Sequence, residues 1–402
     1  MTPKVIIIGG GIGGLTCAIA CVQAGLEVEL YEKRTWEGMV SGPGGIFIQR
    51  NAMSVYEKLG LAKALYEKGG KIKKGGFSNA QGKPLYINSP EFVNCSDLGV
   101  CLGRPVLQKL LYDALPSGIV QTNKKFVEVK EKEEKIEVCF EDGDTTWGDV
   151  LVGADGLYSQ VRVSLNADKV LDPPVYSGMR CWRGYFNPEG INFNPEYTWM
   201  EYWGKGDRLA YFTIGDGQRS FYAFDNVPLE SPRSQPGTRK SLLRQLFKHY
   251  SSPVPQIIEA LEETDIYEDN IYDRLPLTPV WGKNRVTLIG DAAHPVQPSI
   301  GQGGCMAIED AYELVYSIKT CADLSQLAQT LRQFEQYRTP RITQVFESSR
   351  QISSLGQLEN PLSCQVRNWI YRLTPTWLGD LQFKWLFDYQ PSGQYSASRG
   401  NG

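Results

Sequence analysis

The sequence predicts an α/β chain in which a parallel-sheet domain is interleaved with an antiparallel sheet and followed by C-terminal helices. Three observations carry this. The chain opens on a strand, turn, helix and strand pattern; short apolar strands recur far downstream; and the stretch between those recurrences is crowded with alternating aromatics. A length of 402 residues fits one large or two intimate domains.

Composition narrows the classes. The 42 Lys+Arg and 45 Asp+Glu leave a net charge of −3, without the basic surface that holds phosphates, so no nucleic-acid partner is expected. Two histidines, His249 and His294, and nine cysteines without a C-x-x-C pair exclude a structural zinc domain. Cys17 and Cys21 share a helix face, and the odd cysteine total argues for reduced thiols and a cytoplasmic setting. The apolar run Val5–Ile8 is too short for a signal peptide, and no stretch approaches the roughly 18 apolar residues of a transmembrane segment. Peripheral membrane contact is left to the aromatic-rich C-terminus.

In chain order, Val5–Ile8 reads as a buried strand, 14–24 as a helix stopped by Gly25, and Glu27–Tyr31 as a second, parallel strand. A polar, glycine-rich stretch covers 35–45, and 51–59 has helical spacing. Residues 104–115 form a helix that tolerates Pro105 in its first turn; 126–129 and 136–140 form a hairpin around a charged turn. A strand at 149–152 follows. CWRGYF, YTWMEYW, LAYFTI and RSFYAF, within 181–224, read as antiparallel strands. A strand at 286–289 precedes a helix over 305–320; 325–350 and 363–388 are terminal helices separated by Pro361, before a disordered tail. Residues 1–75, 101–175 and 276–345 are thus assigned to the first domain, 76–100 and 176–275 to the antiparallel one, and 346–402 to C-terminal helices and tail.

Gly9-Gly10-Gly11-Ile12-Gly13-Gly14 satisfies G-x-G-x-x-G between strand and helix, with Glu32 ending the second strand. This is a dinucleotide-binding context. Gly9 makes the tight turn, Gly11 lets a pyrophosphate approach, Gly14 permits close packing, and the helix N-terminus offers free N–H groups. Ile12 and Gly13 complete the turn, and Glu32, with Lys33 beside it, faces the ribose. The turn alone does not separate NAD from FAD.

Two distant segments do. LVGADGLYSQVR at 151–162 and RVTLIGDAAHP at 285–295 resemble the DG and GD motifs of class A flavoprotein monooxygenases. GPGGIFIQRNA and YSGMRCWRG look closest to the zeaxanthin epoxidase, urate hydroxylase and salicylate hydroxylase branch. The resemblance spans roughly residues 4–345 and implies a Rossmann-like FAD-binding domain interleaved with an antiparallel β-sheet substrate domain. It places Asp291 on the ribitol of FAD, and Pro298, Gly301, Gln302, Gly303 and Gly304 along the flavin ring, where a helix N-terminus favours the reduced anion. It places Arg104 on the phosphate or ring region and Val127 at a backbone contact with adenine. Asp155 serves FAD and pyridine nucleotide, or caps the following helix. Plant zeaxanthin epoxidases carry a transit peptide and a forkhead-associated domain that this sequence does not show, so the carotenoid substrate is not carried over.

The implied chemistry has NADPH or NADH reduce FAD, after which O2 forms a C4a-hydroperoxyflavin that passes oxygen to an electron-rich aromatic or polyene substrate, by hydroxylation or epoxidation. A swinging flavin would need the Gly42–Gly45 and Gly301–Gly304 loops to yield. The aromatic sheet would hold substrate, with Arg208 and Tyr222 or Phe221 as catalytic candidates; Trp182, Trp199, Tyr202, Trp203 and Tyr211 divide between core and pocket. His294 is a poor base candidate, implied to be structural. The rival readings are a polyprenyl reductase of the same fold and an FAD-binding redox sensor; W-x-W-x-I-P, associated with flavin halogenases, is absent.

Overall fold

The computed structural model describes residues 2–42, 44–88, 91, 95–132, 134–165, 173–274 and 281–393. At its centre is a five-stranded parallel sheet in the order Val286–Leu288, Val150–Gly153, Lys4–Ile8, Glu27–Tyr31, Val120–Gln121. The strand Lys4–Ile8 is covered on both faces, which is why it reads as an unbroken apolar run. Val5 and Ile7 pack under the helices Ile12–Ala24 and Gly303–Thr320. Ile6 and Ile8 pack with Phe126, Ile136 and Val138 of a three-stranded antiparallel sheet on the other side. The hairpin expected there pairs Phe126–Lys132 with Lys135–Phe140.

The first helix starts at Ile12 and stops where Gly25 takes the left-handed conformation, φ 70°. Within the expected 35–45 loop, Trp36–Met39 forms a helical turn, capped by the Thr35 hydroxyl accepting from Gly38 N–H.

The aromatic stretch forms a larger sheet than expected. Seven strands run in the order Tyr267–Asp273, Val175–Phe186, Arg219–Asn226, Asp207–Thr213, Tyr197–Trp203, Lys74–Asn79, Pro84–Asn88. Every pairing is antiparallel except that of Tyr197–Trp203 with Lys74–Asn79, which is parallel. Period-2 alternation sorts its residues. Met200, Tyr202, Leu209, Tyr211, Phe221 and Ala223 pack against the helices Arg239–Leu246 and Val254–Ala260, and the alternate positions turn toward the parallel-sheet domain.

Three helices, rather than two, close the chain: Leu327–Gly356, Pro361–Leu373 and Thr376–Phe387. Pro375 disfavours helical geometry at Thr374 and breaks the second expected helix. The last residues of the expected tail, 394–402, lie outside the described residues, as does Pro43 in the polar, glycine-rich stretch. No helix among the described residues is long and apolar enough to cross a membrane.

Candidate active site

The glycine turn shows which glycines packing demands. Gly9 has φ 111°, and a Cβ there would lie 2.4 Å from the Ala154 carbonyl oxygen; at Gly14 it would lie 1.9 Å from that of Gly9. A Cβ at Gly11 would meet nothing within 4 Å. Gly11, Ile12 and Gly13 instead border a cavity of about 440 Å³, presenting the helix N-terminus to it.

Glu32 is buried beneath this turn. Its carboxylate accepts from Gly10 N–H at 2.8 Å, and from Arg34 N–H and Nε at 2.9 and 2.8 Å. Burial pushes its carboxyl up, but these hydrogen bonds prevail and hold it below the usual range. The acid read from sequence as a ribose contact is therefore also the strut of the turn. Lys33 is exposed and outside the cavity wall. Val127 lies on Phe126–Lys132 with its side chain half exposed.

Asp155 caps a helix. Its carboxylate accepts from the Ser159 hydroxyl at 2.5 Å and from Gln160 N–H at 2.7 Å, where the helix Gln160–Leu165 begins. Its flanking residues, Ala154 and Gly156, border the cavity. Of its two sequence readings, this geometry displays the cap.

Asp291 opens onto the cavity and makes no hydrogen bond through its carboxylate among the described residues. Although cavity space reaches it, the protein packed around the carboxyl pushes it upward by desolvation, against the pull of Arg104. Arg104 is likewise open to the cavity, its guanidinium lowered by burial and by the like charge of Arg183. Pro298, Gly301, Gly303 and Gly304 border the same space. Gln302 does not: it is fully buried, its amide bonded to Gln49 at 2.7 Å and accepting from Asn51 at 2.9 Å. Its side chain is an anchor for the loop rather than part of the cavity wall. An open glycine turn, an unpaired carboxylate and a helix N-terminus at Gly303 together fit an FAD molecule laid along this cavity.

A buried ion network carries the second turn. Asp310 accepts from Gly290 N–H at 3.0 Å, meets His294 Nε2 at 2.6 Å, and accepts from Arg338 Nε at 2.8 Å. Arg338 and Arg341 also grip Glu309, which accepts from Asn51 in turn. Burial alone would raise the Asp310 carboxyl, yet His294 and Arg338 hold it down at about 2. His294 is thus structural and stands outside the cavity wall.

The far wall is the seven-stranded sheet. Register decides between neighbours: Tyr222 faces the cavity, its hydroxyl donating to the Gly45 carbonyl, whereas Phe221 is fully buried in the opposite core. Of the five large aromatics singled out, Trp199 borders the cavity; Trp182, Tyr202 and Tyr211 belong to that core, and Trp203 stacks on Phe77 at 4.5 Å. Arg208 borders the cavity but is fully buried. Its guanidinium donates to Glu201 at 2.8 Å and Ser299 at 2.9 Å, over the Phe224 ring at 4.3 Å. Among the described residues, Arg183 Nε, Arg208 Nε and Trp199 Nε1 are donors without a protein partner, and Asn88 Oδ1 is such an acceptor. Sequence reasoning missed Arg183, Glu201, Phe77, Phe212 and Phe224. Their signal was strand alternation: Glu201 and Trp199 share parity, as do Tyr222 and Phe224.

A dinucleotide turn, an acid-bearing second turn and an aromatic sheet around one cavity define a flavoprotein class. The chain belongs to the FAD binding domain family, whose model matches residues 2–177 and 269–349. Its relatives are class A flavoprotein monooxygenases. It is 34% identical, over 92% of its length and 94% of the relative's, to an aurachin C monooxygenase/isomerase of Stigmatella aurantiaca. It is 31% identical over 89% of its length to a chloroplastic zeaxanthin epoxidase of an Oncidium hybrid cultivar, of which it spans 56%. In fold it resembles Klebsiella pneumoniae HpxO complexed with FAD and uric acid, with a TM-score of 0.87, 24% identity, and 97% and 98% of the two chains covered.

Two outcomes follow from this geometry. Asp291→Ala is expected to yield folded protein that loses FAD on gel filtration; retained stoichiometric flavin would contradict its placement. Arg338→Leu leaves Glu309 and Asp310 short of their buried partner and should cost about 3–5 kcal/mol in denaturant unfolding. Because the folded Asp310 carboxyl lies at about 2, below its value in the unfolded chain, its contribution to stability is present above about pH 4 and lost as pH falls toward about 2.

Proposed function

We propose that this chain is an FAD-dependent monooxygenase that uses NADPH or NADH and O2 to hydroxylate or epoxidise a neutral, electron-rich aromatic or polyene substrate. The supporting observation is the continuity of one cavity from the Gly11 turn, past Asp291, to the aromatic wall of Trp199, Phe212 and Phe224. The relatives' names add to it, one pointing to aurachin C and one to zeaxanthin.

Bound there, FAD would supply electron transfer from the nicotinamide and activation of oxygen. The chain's own residues do the rest. The helix N-terminus at Gly11–Gly14 receives the pyrophosphate, with Glu32 keeping the turn in shape. Asp291 accepts from the ribitol, Arg104 neutralises phosphate or ring charge, and the Pro298–Gly304 loop offers backbone amides to the ring. Gln302 holds that loop from behind. Tyr222 and Arg208 orient substrate, while Phe383, Leu386 and Phe387 shield the cavity from water.

Neutrality of the substrate is read from Glu201. Its carboxylate lies 2.8 Å from Arg208 Nη1 and accepts from Trp203 Nε1 at 3.0 Å. The arginine therefore meets the cavity with its charge already compensated, which disfavours a carboxylate ligand and suits an apolar ring or polyene. Such a substrate needs no deprotonation, consistent with a wall that offers no histidine.

NADH and NADPH oxidation by the flavin-loaded protein, measured against aromatic acids, heterocycles, polycyclic phenols and carotenoids with product mass, tests this. A neutral compound that accelerates oxidation and gains one oxygen atom is the expected result. Reduction of substrate without oxygen gain would indicate a reductase, and flavin without stimulated turnover across the panel would indicate a sensor. Arg208→Ala should raise KM at least about tenfold while sparing FAD, and Glu201→Gln should shift preference toward acids.

A further inference from the structure

Among the described residues, eight of the 18 large hydrophobic side chains left exposed fall between Leu362 and Leu381. They lie on the two short helices Pro361–Leu373 and Thr376–Phe387. On the first, Leu362, Val366, Trp369, Ile370 and Leu373 are exposed, while Cys364, Arg367 and Tyr371 turn inward. At about 100° per residue these sets occupy opposite sides of the helix. On the second, Trp377, Leu378 and Leu381 point outward, while Phe383 and Leu386 border the cavity. The outer face of each helix is therefore apolar and has no partner among the described residues.

Among the described residues, the charges around this outer surface leave one cation unpaired. Between Glu359 and Asp388 the sequence has three carboxylates, Glu359, Asp380 and Asp388, against Arg367, Arg372 and Lys384; Lys384 pairs with Asp388, and Glu359 accepts from Asn226. Asp380 is turned inward, accepting from the Tyr86 hydroxyl. Arg367 is buried, donating to the Leu355 and Gly204 carbonyls. Arg372 is exposed and has no acidic partner among the described residues. Trp369 and Trp377 add the amphipathic rings that favour the depth of lipid headgroups.

We infer that the outer faces of these two helices dock on the surface of a bilayer containing anionic lipid. Helices of 13 and 12 residues are too short to span a membrane, and their one-sided apolar faces suit lying in its plane. Exposed Arg372 complements anionic headgroups. A second copy of this chain is the alternative occupant, distinguished by sedimentation without lipid. Since the inner face of the second helix borders the cavity, docking would place that end of the cavity next to lipid. Passage of a lipophilic substrate by this route rests on the proposed function; docking itself does not.

Flotation of the FAD-loaded full chain with phosphatidylcholine vesicles, with and without phosphatidylglycerol, tests docking independently of turnover. The chain should float with phosphatidylglycerol vesicles and release as salt rises. Trp369→Glu/Trp377→Glu, at exposed positions, should retain flavin and lower the vesicle-bound fraction about tenfold or more. Arg372→Glu should remove the preference for phosphatidylglycerol while retaining flavin. A chain that stays in the buffer with both vesicle types overturns the inference. So does a wild-type dimer, seen by sedimentation without lipid, that the double variant converts to monomer, because the face would then belong to a second copy.

Discussion

The cofactor side of the molecule hangs on one buried carboxylate. Asp310 draws together the Gly290 amide, the His294 ring and the Arg338 guanidinium, and so ties the turn after the strand Val286–Leu288 to two helices that share no sequence with it. Such a network is costly to desolvate and strongly destabilising to break by halves. Its value here is positional. With Gly290 and His294 held on either side, Asp291 is left to face the cavity without a partner of its own. Glu32 plays the same part at the first turn, bonding Gly10 from below while Gly11 stays open above.

The substrate wall obeys a different constraint, the parity of its strands. Arg183 pairs with Tyr222, and Arg208 with Phe224, across antiparallel ladders. A slip of one residue would send Tyr222 into the core and Phe221 into the cavity. The hairpin turn between Thr213 and Arg219, where Asp216 and Gly217 both take positive φ, fixes that register.

Much of the parallel-sheet domain was legible because its signals are local. The second strand is bounded as read, and the glycine turn carries its own steric logic in three residues. The seven-stranded sheet was legible only in its centre: Lys74–Asn79 joins Tyr197–Trp203 in parallel across a long separation, and no local pattern marks such a pairing. The site divides in the same way. Spacing puts Asp291 and the following loop near one another, but it does not show that Gln302 turns back to Asn51 while its neighbours face the cavity. Nor does it show that Arg208 is already paired, since its partner Glu201 lies on the adjacent strand. The contribution of Phe383, Leu386 and Phe387 to the cavity was equally hidden, because it depends on where Pro375 redirects the chain.

The most direct measurement of whether the Asp310 network presents the second turn to the flavin is FAD affinity in Asp310→Asn, read by fluorescence titration of apoprotein whose circular dichroism matches wild type. The account predicts a Kd raised at least about tenfold, because Gly290 and His294 lose the charge that fixes them. A folded Asp310→Asn protein with unchanged FAD affinity would contradict it.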